Sequence, residues 1–239
     1  MAAELPRHVR LGLTPTPLEY ADRLSTAWGG PRIWIKRDDL TGFGLSGNKV
    51  RKLEFHVAAA QDAGADTLIT CGAVQSNHSR ATALVGARHG FQTILLLRKD
   101  PDVEPALTGN YLIDRLAGAA VRFVTPTEWE TRDLLMQEVA AAERSQGRSC
   151  WVIPEGASDV LGMWGFVLAL RELADQTAAI DGTPPVIWHA ASSGGTTAGI
   201  GWGVDRLALS LPVVACSIGD PKEDIQSKVA AIWAAAAAA

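Results

Sequence analysis

The sequence has few cysteines, few aromatic residues other than tryptophan, and no excess of basic residues. Its three cysteines, Cys71, Cys150 and Cys216, are odd in number and far apart, so they match no metal-binding spacing. They are typical of a protein in a reducing setting, and we expect a cytoplasmic location. The five histidines form no ligand pair at helical spacing, so no metal site is expected.

The charge pattern and the apolar runs exclude two further classes of partner. The 22 basic and 26 acidic residues are interspersed and give a net charge of −4, so nothing predicts nucleic-acid binding. No apolar run reaches the roughly 18 residues that a membrane span requires. Residues 1–11 carry charges and no hydrophobic segment, so we expect no secretory signal. The eight tryptophans are scattered, which favours core or interface positions over a base-stacking platform.

Short apolar runs alternate with helical patterns along most of the chain. The 239 residues, 47% of them hydrophobic, are enough for a sizeable core and one or two domains. The predicted strands lie at 33–37, 67–72, 93–97, 121–124, 150–153, 185–189 and 213–216. The predicted helices lie at 20–28, from 49 to a stop at 64, from about 80 to 89, at 110–116, 128–144 and 161–176, after the segment 190–200 to about 209, and from 220 or 221 onward. Continuous apolar strands that alternate with helices predict an α/β fold, with parallel sheet covered by helices on both faces.

The last six residues, 234–239, are all alanine. This run could be a helix end, a tag, or a set of unassigned positions written as alanine. Because it has no cap, charge or stop signal, we expect the natural chain to continue beyond it.

A basic turn at the start of a predicted helix organises the sequence. Lys49 follows Gly42, Gly44 and Gly47, and each glycine can adopt backbone angles closed to other residues. Apolar residues then recur at helical spacing over 50–60. The candidate N-caps are Asn48 and Ser46, and the candidate end is Gly64. Lys49 is therefore expected in the first turn, where its side chain can point into a cleft.

Three cations lie close together in this turn, namely Lys49, Arg51 and Lys52. Like charges and a helix N-terminus both lower the pKa of an amine. A neutral Lys49 amine is the form that attacks an aldehyde to make a Schiff base. The alternative is an ordinary solvated basic turn.

A second candidate site lies between the strand at 185–189 and the following helix. Ser192, Ser193, Gly194, Gly195, Thr196 and Thr197 combine small residues with hydroxyl groups. Free backbone N–H groups at a helix start suit an anion, most naturally a phosphate. The segment lacks the lysine of a P-loop and the spacing of a dinucleotide fingerprint, which disfavours nucleoside triphosphates and NAD. The alternative is a glycine-rich turn without a ligand.

Polar residues also follow the strand at 67–72. Ser76, Asn77 and His78 lie at a predicted helix start, beyond the carboxyl end of a strand, where ligands of parallel sheets collect. Their amide and hydroxyl groups could hold a carboxylate and a ring hydroxyl. The alternatives are helix capping by Ser76 or Asn77 and an ordinary histidine at position 78.

Two further features each allow a functional and a structural interpretation. The segment 155–159 could be a third binding loop, or simply a turn with Ser158 or Asp159 as a helix cap. Cys71 could be a nucleophile, but no histidine lies at a recognisable spacing, which favours a buried structural cysteine. An imine-forming lysine, a phosphate-binding turn and a carboxylate-binding loop together indicate pyridoxal phosphate with a small amino acid as substrate.

Five segments match a known family in order along the chain, namely 14–18, 35–41, 47–54, 65–70 and 75–78. With these motifs, the chain up to about residue 220 resembles the pyridoxal-phosphate enzymes of the tryptophan synthase β-like fold. Within them, it is similar to the family of D-cysteine desulfhydrase and 1-aminocyclopropane-1-carboxylate deaminase. This resemblance implies fold type II, with two open, mostly parallel twisted sheets. It also implies a larger domain from 1–54 and 161–239, a smaller inserted domain at 55–160, and a homodimer.

The resemblance implies a role for each candidate residue. Lys49 would be the internal-aldimine lysine and the base that moves substrate protons. The phosphate would be held by Ser193, Gly194, Gly195 and Thr196, with added charge from Lys52. Asn77 would bond the ring hydroxyl of the cofactor. Ser76 would be a second catalytic residue, because it would contact the substrate carboxylate and is the nucleophile proposed for ring opening in the deaminases. Asn77 and His78 would border the substrate.

Two departures from the family pattern bear on the reaction. The deaminases usually carry glutamine where this chain has His78, and Ser46-Gly47 replaces a common Gly-Gly pair. Both favour β-elimination of the D-cysteine desulfhydrase type, with pyruvate, ammonia and sulfide as products. The alternatives are 1-aminocyclopropane-1-carboxylate deaminase, L-cysteate sulfo-lyase, and a protein that binds the cofactor without turnover.

Overall fold

The computed structural model describes residues 5–44, 47–178, 180–182 and 185–238. The strands are β1 (Leu18–Tyr20), β2 (Trp34–Lys36), β3 (Thr67–Ala73), β4 (Gln92–Arg98), β5 (Ala120–Val124), β6 (Cys150–Val152), β7 (Ile187–Ala191) and β8 (Val213–Ser217). The helices are α1 (Asp22–Trp28), α2 (Lys49–Asp62), α3 (Asn77–His89), α4 (Gly109–Leu116), α5 (Pro126–Glu130), α6 (Arg132–Ser145), α7 (Val160–Thr177), α8 (Gly195–Arg206) and α9 (Lys222–Ala238).

A four-stranded parallel sheet forms one centre of the molecule. Its strand order is β5-β4-β3-β6, with Thr67 of β3 paired to Gln92 of β4 on one side and to Cys150 of β6 on the other. Residues 67–72 of β3 are all buried, as expected for a strand that is covered on both faces. The continuous apolar runs therefore predicted these strands correctly.

A second parallel pair joins β7 to β8, with Ile187 opposite Val213. The expected α/β fold with parallel sheets is confirmed. An antiparallel pair, β1 with β2, was not foreseen in full. Residues 18–20 have no strand pattern of their own. They form a strand because they pair with residues 34–36, which follow helix α1 in the sequence.

Helix α2 runs through the core and is buried on nearly every side. Its apolar positions Val50, Leu53 and Val57 are fully buried, as their spacing predicted. Its polar positions are buried as well, so they require partners inside the protein. Glu54, for example, accepts hydrogen bonds from the backbone N–H groups of Leu11 and Gly12 at 2.9 and 3.0 Å.

Helix α7 packs closely against α2 because it has a glycine at the contact. A Cβ on Gly165 would lie 2.4 Å from the carbonyl oxygen of Arg51. This distance is too short for any side chain, so the sequence fixes how closely the two helices approach.

One predicted helix was wrong. The segment expected as a single helix at 128–144 forms α5 and α6, with a break at Thr131, where φ is −109° and ψ is 26°. Thr125 and Glu128 form a capping box that starts α5 at Pro126, earlier than expected. The apolar spacing carried no signal for the break.

The predicted domain division stays a prediction. The four-stranded sheet lies within 55–160 and the β7–β8 pair within 161–239, while α2 crosses the expected boundary at 54/55. Among the described residues, no helix combines the length and apolar character of a membrane span, and no cluster of side chains could hold a metal ion.

Candidate active site

Lys49 is the first residue of α2, as the sequence predicted. Asn48 occupies the N-cap position, but it has helical angles, and its side chain makes no capping bond. Instead, the Nζ of Lys49 donates to Oδ1 of Asn48 at 3.2 Å. Ser46, the other candidate cap, lies outside the described residues. Gly64 has a φ of +63° just after the end of α2, in agreement with the expected stop.

The pKa of Lys49 is lowered, mainly by burial, with Glu155 acting in the opposite direction. The sequence analysis also expected a lowered pKa, but it attributed part of the effect to the charge of Arg51, and that part was wrong. The guanidinium of Arg51 points away, into ion pairs with Asp38 at 2.8 Å and Glu172 at 2.9 Å. Its charge is neutralised there, so Arg51 supports the fold and does not perturb the amine.

The glycine-and-hydroxyl turn joins β7 to α8. Gly194 is the N-cap residue of α8 and has a φ of +84°, a conformation that favours glycine. Gly195 and Thr196 follow in the first helical turn, where backbone N–H groups lack intrahelical partners. The hydroxyl of Ser193 lies 2.7 Å from that of Ser158, which links this turn to the segment before α7.

One cavity joins Lys49 to this turn. It has a volume of about 170 Å³. The lining residues are Asn48, Lys49, Ala190, Ala191, Ser192, Ser193, Gly194, Thr196, Thr197 and Ile218. Two segments about 145 positions apart in sequence therefore meet in space, which a phosphate-bearing aldehyde at Lys49 requires.

Lys52 lies beneath the turn and is fully buried. Its Nζ donates to the carbonyl oxygen of Gly156 at 3.1 Å and to Oγ of Ser158 at 3.0 Å. Burial lowers its pKa well below the ordinary value, the charge of Lys49 adds to this, and Asp159 opposes it. An anion beside this amine would favour its protonated form, which has a third N–H to donate.

The start of α3 carries the next group of candidates. Ser76 is the N-cap, because its Oγ accepts from the backbone N–H of Ser79 at 3.1 Å. Asn77 is exposed, and its Oδ1 accepts from Arg80 at 2.9 Å and from Asn110 at 3.0 Å. Neither Ser76 nor Asn77 lines the cavity of Lys49.

His78 is buried, and its ring faces inward. Its Nε2 lies 2.8 Å from Oγ1 of Thr70, whose hydroxyl donates to the carbonyl oxygen of Ile153 at 2.8 Å. Nε2 therefore carries the proton, and Nδ1 is left as a buried acceptor without a partner among the described residues. Burial lowers the pKa of His78 far below its ordinary value, with further contributions from Lys49 and Lys52, so the ring is neutral.

The segment 155–159 supports the site from below. Asp159 caps α7 by accepting from the backbone N–H of Gly162 at 2.7 Å, as one reading of the sequence predicted. Its Oδ1 also lies 3.2 Å from Nε2 of the buried His56. Ser158 and Gly156 serve as the partners of Lys52, a role that the sequence did not reveal.

Several residues around the site were missed from sequence. Ala190, Ala191 and Ile218 line the cavity, and Asn110 reaches Asn77 from α4. None of these four residues carried a signal in the sequence, whereas Thr197, which also lines the cavity, was part of the predicted hydroxyl-rich turn.

The residues present fit pyridoxal phosphate. The hydroxyl Oγ1 of Thr197 is buried without a partner among the described residues, and it belongs to the cavity wall. A Cβ on Gly195 would lie only 2.7 Å from Cα of Ser158, so a glycine is needed for this turn to pack closely on the segment before α7. An unpaired hydroxyl, a helix start with free N–H groups and the buried amine of Lys52 form a donor set for a phosphate group.

Comparison with known proteins decides the family. A family model described as "Pyridoxal-phosphate dependent enzyme" matches residues 9–231. The chain belongs to this family. Its cofactor is accordingly pyridoxal phosphate, and the predicted fold type II is shared with solved members.

Individual relatives are named for two activities. A putative 1-aminocyclopropane-1-carboxylate deaminase of Thermotoga maritima is 40% identical over 216 residues, which cover 90% of this chain and 67% of the relative. A bifunctional mitochondrial D-cysteine desulfhydrase/1-aminocyclopropane-1-carboxylate deaminase of Arabidopsis thaliana is 41% identical, over 90% of this chain and 56% of the relative. A D-cysteine desulfhydrase of Salmonella paratyphi A is 39% identical, over 98% of this chain and 71% of the relative. The chain thus spans between about half and three quarters of these relatives' lengths.

A solved structure described as an ACC deaminase homologue superimposes with a TM-score of 0.86 at 35% identity. The match covers 97% of this chain and 69% of the other.

Proposed function

We propose that this protein is a lyase that removes a leaving group from the β-carbon of a small amino acid. The favoured substrate is D-cysteine, with sulfide, pyruvate and ammonia as products. The observation that carries the proposal is that Lys49 lines one cavity together with Ser193, Gly194 and Thr196 of the turn. When bound, pyridoxal phosphate supplies an aldehyde for an amine and a ring that accepts electrons.

Lys49 is proposed as the catalytic residue. Because burial lowers its pKa, a larger fraction of its amine is neutral near pH 7 than for an exposed lysine. Such an amine can attack a carbonyl and can later accept or return a proton at its Nζ. Glu155 acts in the opposite direction, so the fall in pKa is limited and the protonated form stays accessible.

The phosphate end is proposed to be held by Ser193, Gly194, Gly195 and Thr196, with Lys52 beneath. The start of α8 presents free N–H groups and the positive end of a helix dipole. A phosphate beside Lys52 would favour the protonated amine, and the two charges would interact strongly in this dry environment. These groups orient the ligand with respect to Lys49.

The substrate side is proposed to be formed by the start of α3. Ser76 would contact the substrate carboxylate, Asn77 would donate to the ring hydroxyl oxygen, and His78 would border the substrate. The neutral ring of His78 leaves Nδ1 as an acceptor. A neutral acceptor there places no extra positive charge beside Lys49, which helps to keep the amine reactive.

Two alternative reactions keep specific support. The relatives from Thermotoga maritima and Arabidopsis thaliana are named for deaminase activity, which favours 1-aminocyclopropane-1-carboxylate as a substrate. L-Cysteate, with sulfite as the leaving group, stays an alternative by the resemblance described above. Under either alternative, Lys49 and the phosphate turn keep the same roles.

Purified protein with added pyridoxal phosphate should be incubated with D-cysteine, L-cysteate and 1-aminocyclopropane-1-carboxylate. Release of sulfide, sulfite or 2-oxobutyrate identifies the reaction, and turnover of none of them contradicts the proposed lyase. A cofactor absorption band that depends on Lys49 but does not respond to amino acids would favour a binding protein without turnover.

Lys49→Arg tests the central residue. Arginine keeps the charge, but its guanidinium is not a usable nucleophile, so turnover should fall by several orders of magnitude. Lys222→Arg, at an exposed lysine that begins α9, is the matched control and should keep full activity. Retained turnover in Lys49→Arg would remove Lys49 from its proposed role.

Location and assembly are also part of the proposal. The three cysteines are all unpaired, as is typical of a reducing compartment, which supports the cytoplasm. A homodimer is expected from the resemblance alone. Light scattering on the purified protein would measure its mass and test the dimer directly.

A further inference from the structure

Asn77 is held by two other side chains through its carbonyl oxygen. The Nη1 of Arg80 donates to Oδ1 of Asn77 at 2.9 Å, and Nδ2 of Asn110 donates to the same atom at 3.0 Å. The Nδ2 of Asn77 has no hydrogen-bond partner among the described residues. The residue is exposed, so this NH2 group is open to a ligand.

Two neighbouring groups fix the orientation of the Asn110 side-chain amide, because one can only accept a hydrogen bond and the other can only donate one. Its Nδ2 also donates to the backbone carbonyl of Gln75 at 2.8 Å, and its Oδ1 accepts from Nη1 of Arg80 at 2.9 Å. A carbonyl can only accept and a guanidinium can only donate. Reversing either amide would therefore replace favourable contacts with repulsive ones.

The backbone around Asn110 is shaped to allow this arrangement. Gly109 has a φ of +56°, and a Cβ there would lie 2.5 Å from Oε1 of Gln75. That same Oε1 accepts from the backbone N–H of Asn110 at 2.8 Å. The turn before α4 is thus tied to the turn before α3 at several points.

We propose that Asn110 and Arg80 are positioning residues that hold the oxygen of Asn77 and so direct its NH2 group toward the ring oxygen of the cofactor. This rests on the proposed function, which assigns the ring oxygen to Asn77. The consequence is chemical: a donor at this position favours the deprotonated ring oxygen, whereas a reversed amide would favour the protonated one.

Three variants of the full chain with pyridoxal phosphate test the proposal. Asn77→Ala removes the donor, Asn110→Ala removes one of the two groups that hold it, and Asn110→Asp replaces a donor with a carboxylate. The readouts are the pH midpoint of the visible absorption of the bound cofactor and its dissociation constant, both independent of turnover. Gln146→Ala, at an exposed helix end, is the control and should shift neither.

The expected order of the shifts in pH midpoint distinguishes a change in the orientation of Asn77 from a loss of fold stability. Asn77→Ala should raise the midpoint by about one pH unit, as expected for losing a hydrogen bond to a charged group. Asn110→Asp should raise it more than Asn110→Ala, because a carboxylate repels the oxygen of Asn77 and favours the reversed amide. Asn110→Asp should nevertheless be the more stable of the two, since it keeps an acceptor for Arg80.

A double-mutant cycle isolates the pathway. In the Asn77→Ala background, Asn110→Ala should give no further shift, and Asn110→Asp should give only the smaller effect of an added charge. Equal shifts in the wild-type and Asn77→Ala backgrounds, or no shift from any Asn110 variant, would overturn the positioning role. If the absorption band still depended on Lys49 in that case, the proposed function would stay intact. A band that is the same in wild type and Lys49→Ala would overturn both proposals.

Discussion

Lys52 lies directly below Gly195, at the start of α8. A Cβ on Gly195 would be 2.8 Å from Nζ of Lys52 and 2.7 Å from Cα of Ser158. The glycine is therefore a requirement of packing as well as of ligand access. It lets the buried amine of Lys52 and a helix N-terminus approach the same small volume, which suits the up to two negative charges of a phosphate monoester.

Gly195→Ala should weaken binding of pyridoxal phosphate by roughly tenfold or more. The added methyl group would meet backbone atoms of Ser158, and overpacking of this kind costs about 1–3 kcal/mol. Titration of the cofactor-free protein with pyridoxal phosphate measures the dissociation constant. Gly30→Ala, at a glycine with no neighbour within 4 Å of the new Cβ, should bind normally. Unchanged affinity in Gly195→Ala would show that this turn does not hold the phosphate.

Lys52→Met should weaken cofactor binding by about tenfold or more, the value of a charged hydrogen bond. It should not destabilise the cofactor-free protein, because the cation is costly to bury in the absence of an anion. Lys222→Met, at the exposed start of α9, is the control for affinity. A large loss of stability without a change in affinity would contradict the proposed role of Lys52.

Lys52 should also make the stability of the cofactor-free protein depend on pH. Because the pKa of Lys52 is lowered in the folded chain, the unfolded chain binds more protons between the lowered value and the ordinary value near 10.4. The free energy of unfolding of the cofactor-free protein should therefore rise with pH across that window. Denaturant titrations at several pH values should show this rise in wild type and a smaller one in Lys52→Met.

The sequence was informative wherever a site follows a strand or opens a helix. Lys49, the turn at 193–196 and the cap at Ser76 all belong to such local patterns, and their elements were placed within a few residues. The cause of the low pKa of Lys49 was not predictable, because burial depends on packing between distant segments. Asn110 was missed for the same reason, since 33 residues separate it from Asn77.

Glu172→Gln should destabilise the fold by about 3 kcal/mol. Glu172 binds Arg51 through both carboxylate oxygens at 2.9 Å and Lys36 at 3.0 Å, in a largely buried network. Removing one charge from such a network leaves the other charges uncompensated. Glu104→Gln, at a carboxylate that is 83% exposed beside Lys99, should show no measurable change in denaturant unfolding.

The fall in the free energy of unfolding at acidic pH should also be different in Glu172→Gln. Burial alone would raise its pKa, but the bonds from Arg51 and Lys36 hold it below the ordinary value. A carboxylate of this kind stabilises the fold above its unfolded pKa, and the contribution is lost as the pH falls through the folded pKa. If Glu172→Gln and wild type lost stability in parallel below pH 4.5, the network would not be the source.

Asp114→Asn should stabilise the protein at pH 8 and have little effect at pH 5. Both carboxylate oxygens of Asp114 are buried without hydrogen-bond partners among the described residues, and burial raises its pKa to about 7 despite the charge of Arg80. The folded chain thus keeps this proton up to about pH 7, while the unfolded chain releases it near pH 4. The free energy of unfolding should fall as the pH rises between these values, by at most about 4 kcal/mol.

Asp102→Asn is the matched control for this pH dependence, because Asp102 lies in an exposed turn. Its unfolding free energy should follow the wild-type curve at every pH. Urea titrations at half-unit intervals from pH 4 to pH 8 would compare the three proteins. If Asp114→Asn were less stable than wild type at pH 8, the carboxylate would have a partner that stabilises its charged form.

An alkylating reagent should modify about one thiol per folded chain, at Cys216. This cysteine is exposed, whereas Cys71 and Cys150 are buried. Burial also raises the pKa of Cys71 to about 12, which leaves about one thiolate in ten thousand at pH 8, and the thiolate is the reactive form. Mass spectrometry after brief labelling, with and without denaturant, measures each site, and Cys216→Ser should remove the rapid reaction. Fast modification of Cys71 in the folded protein, with loss of activity, would mean that the structural role expected for it is wrong.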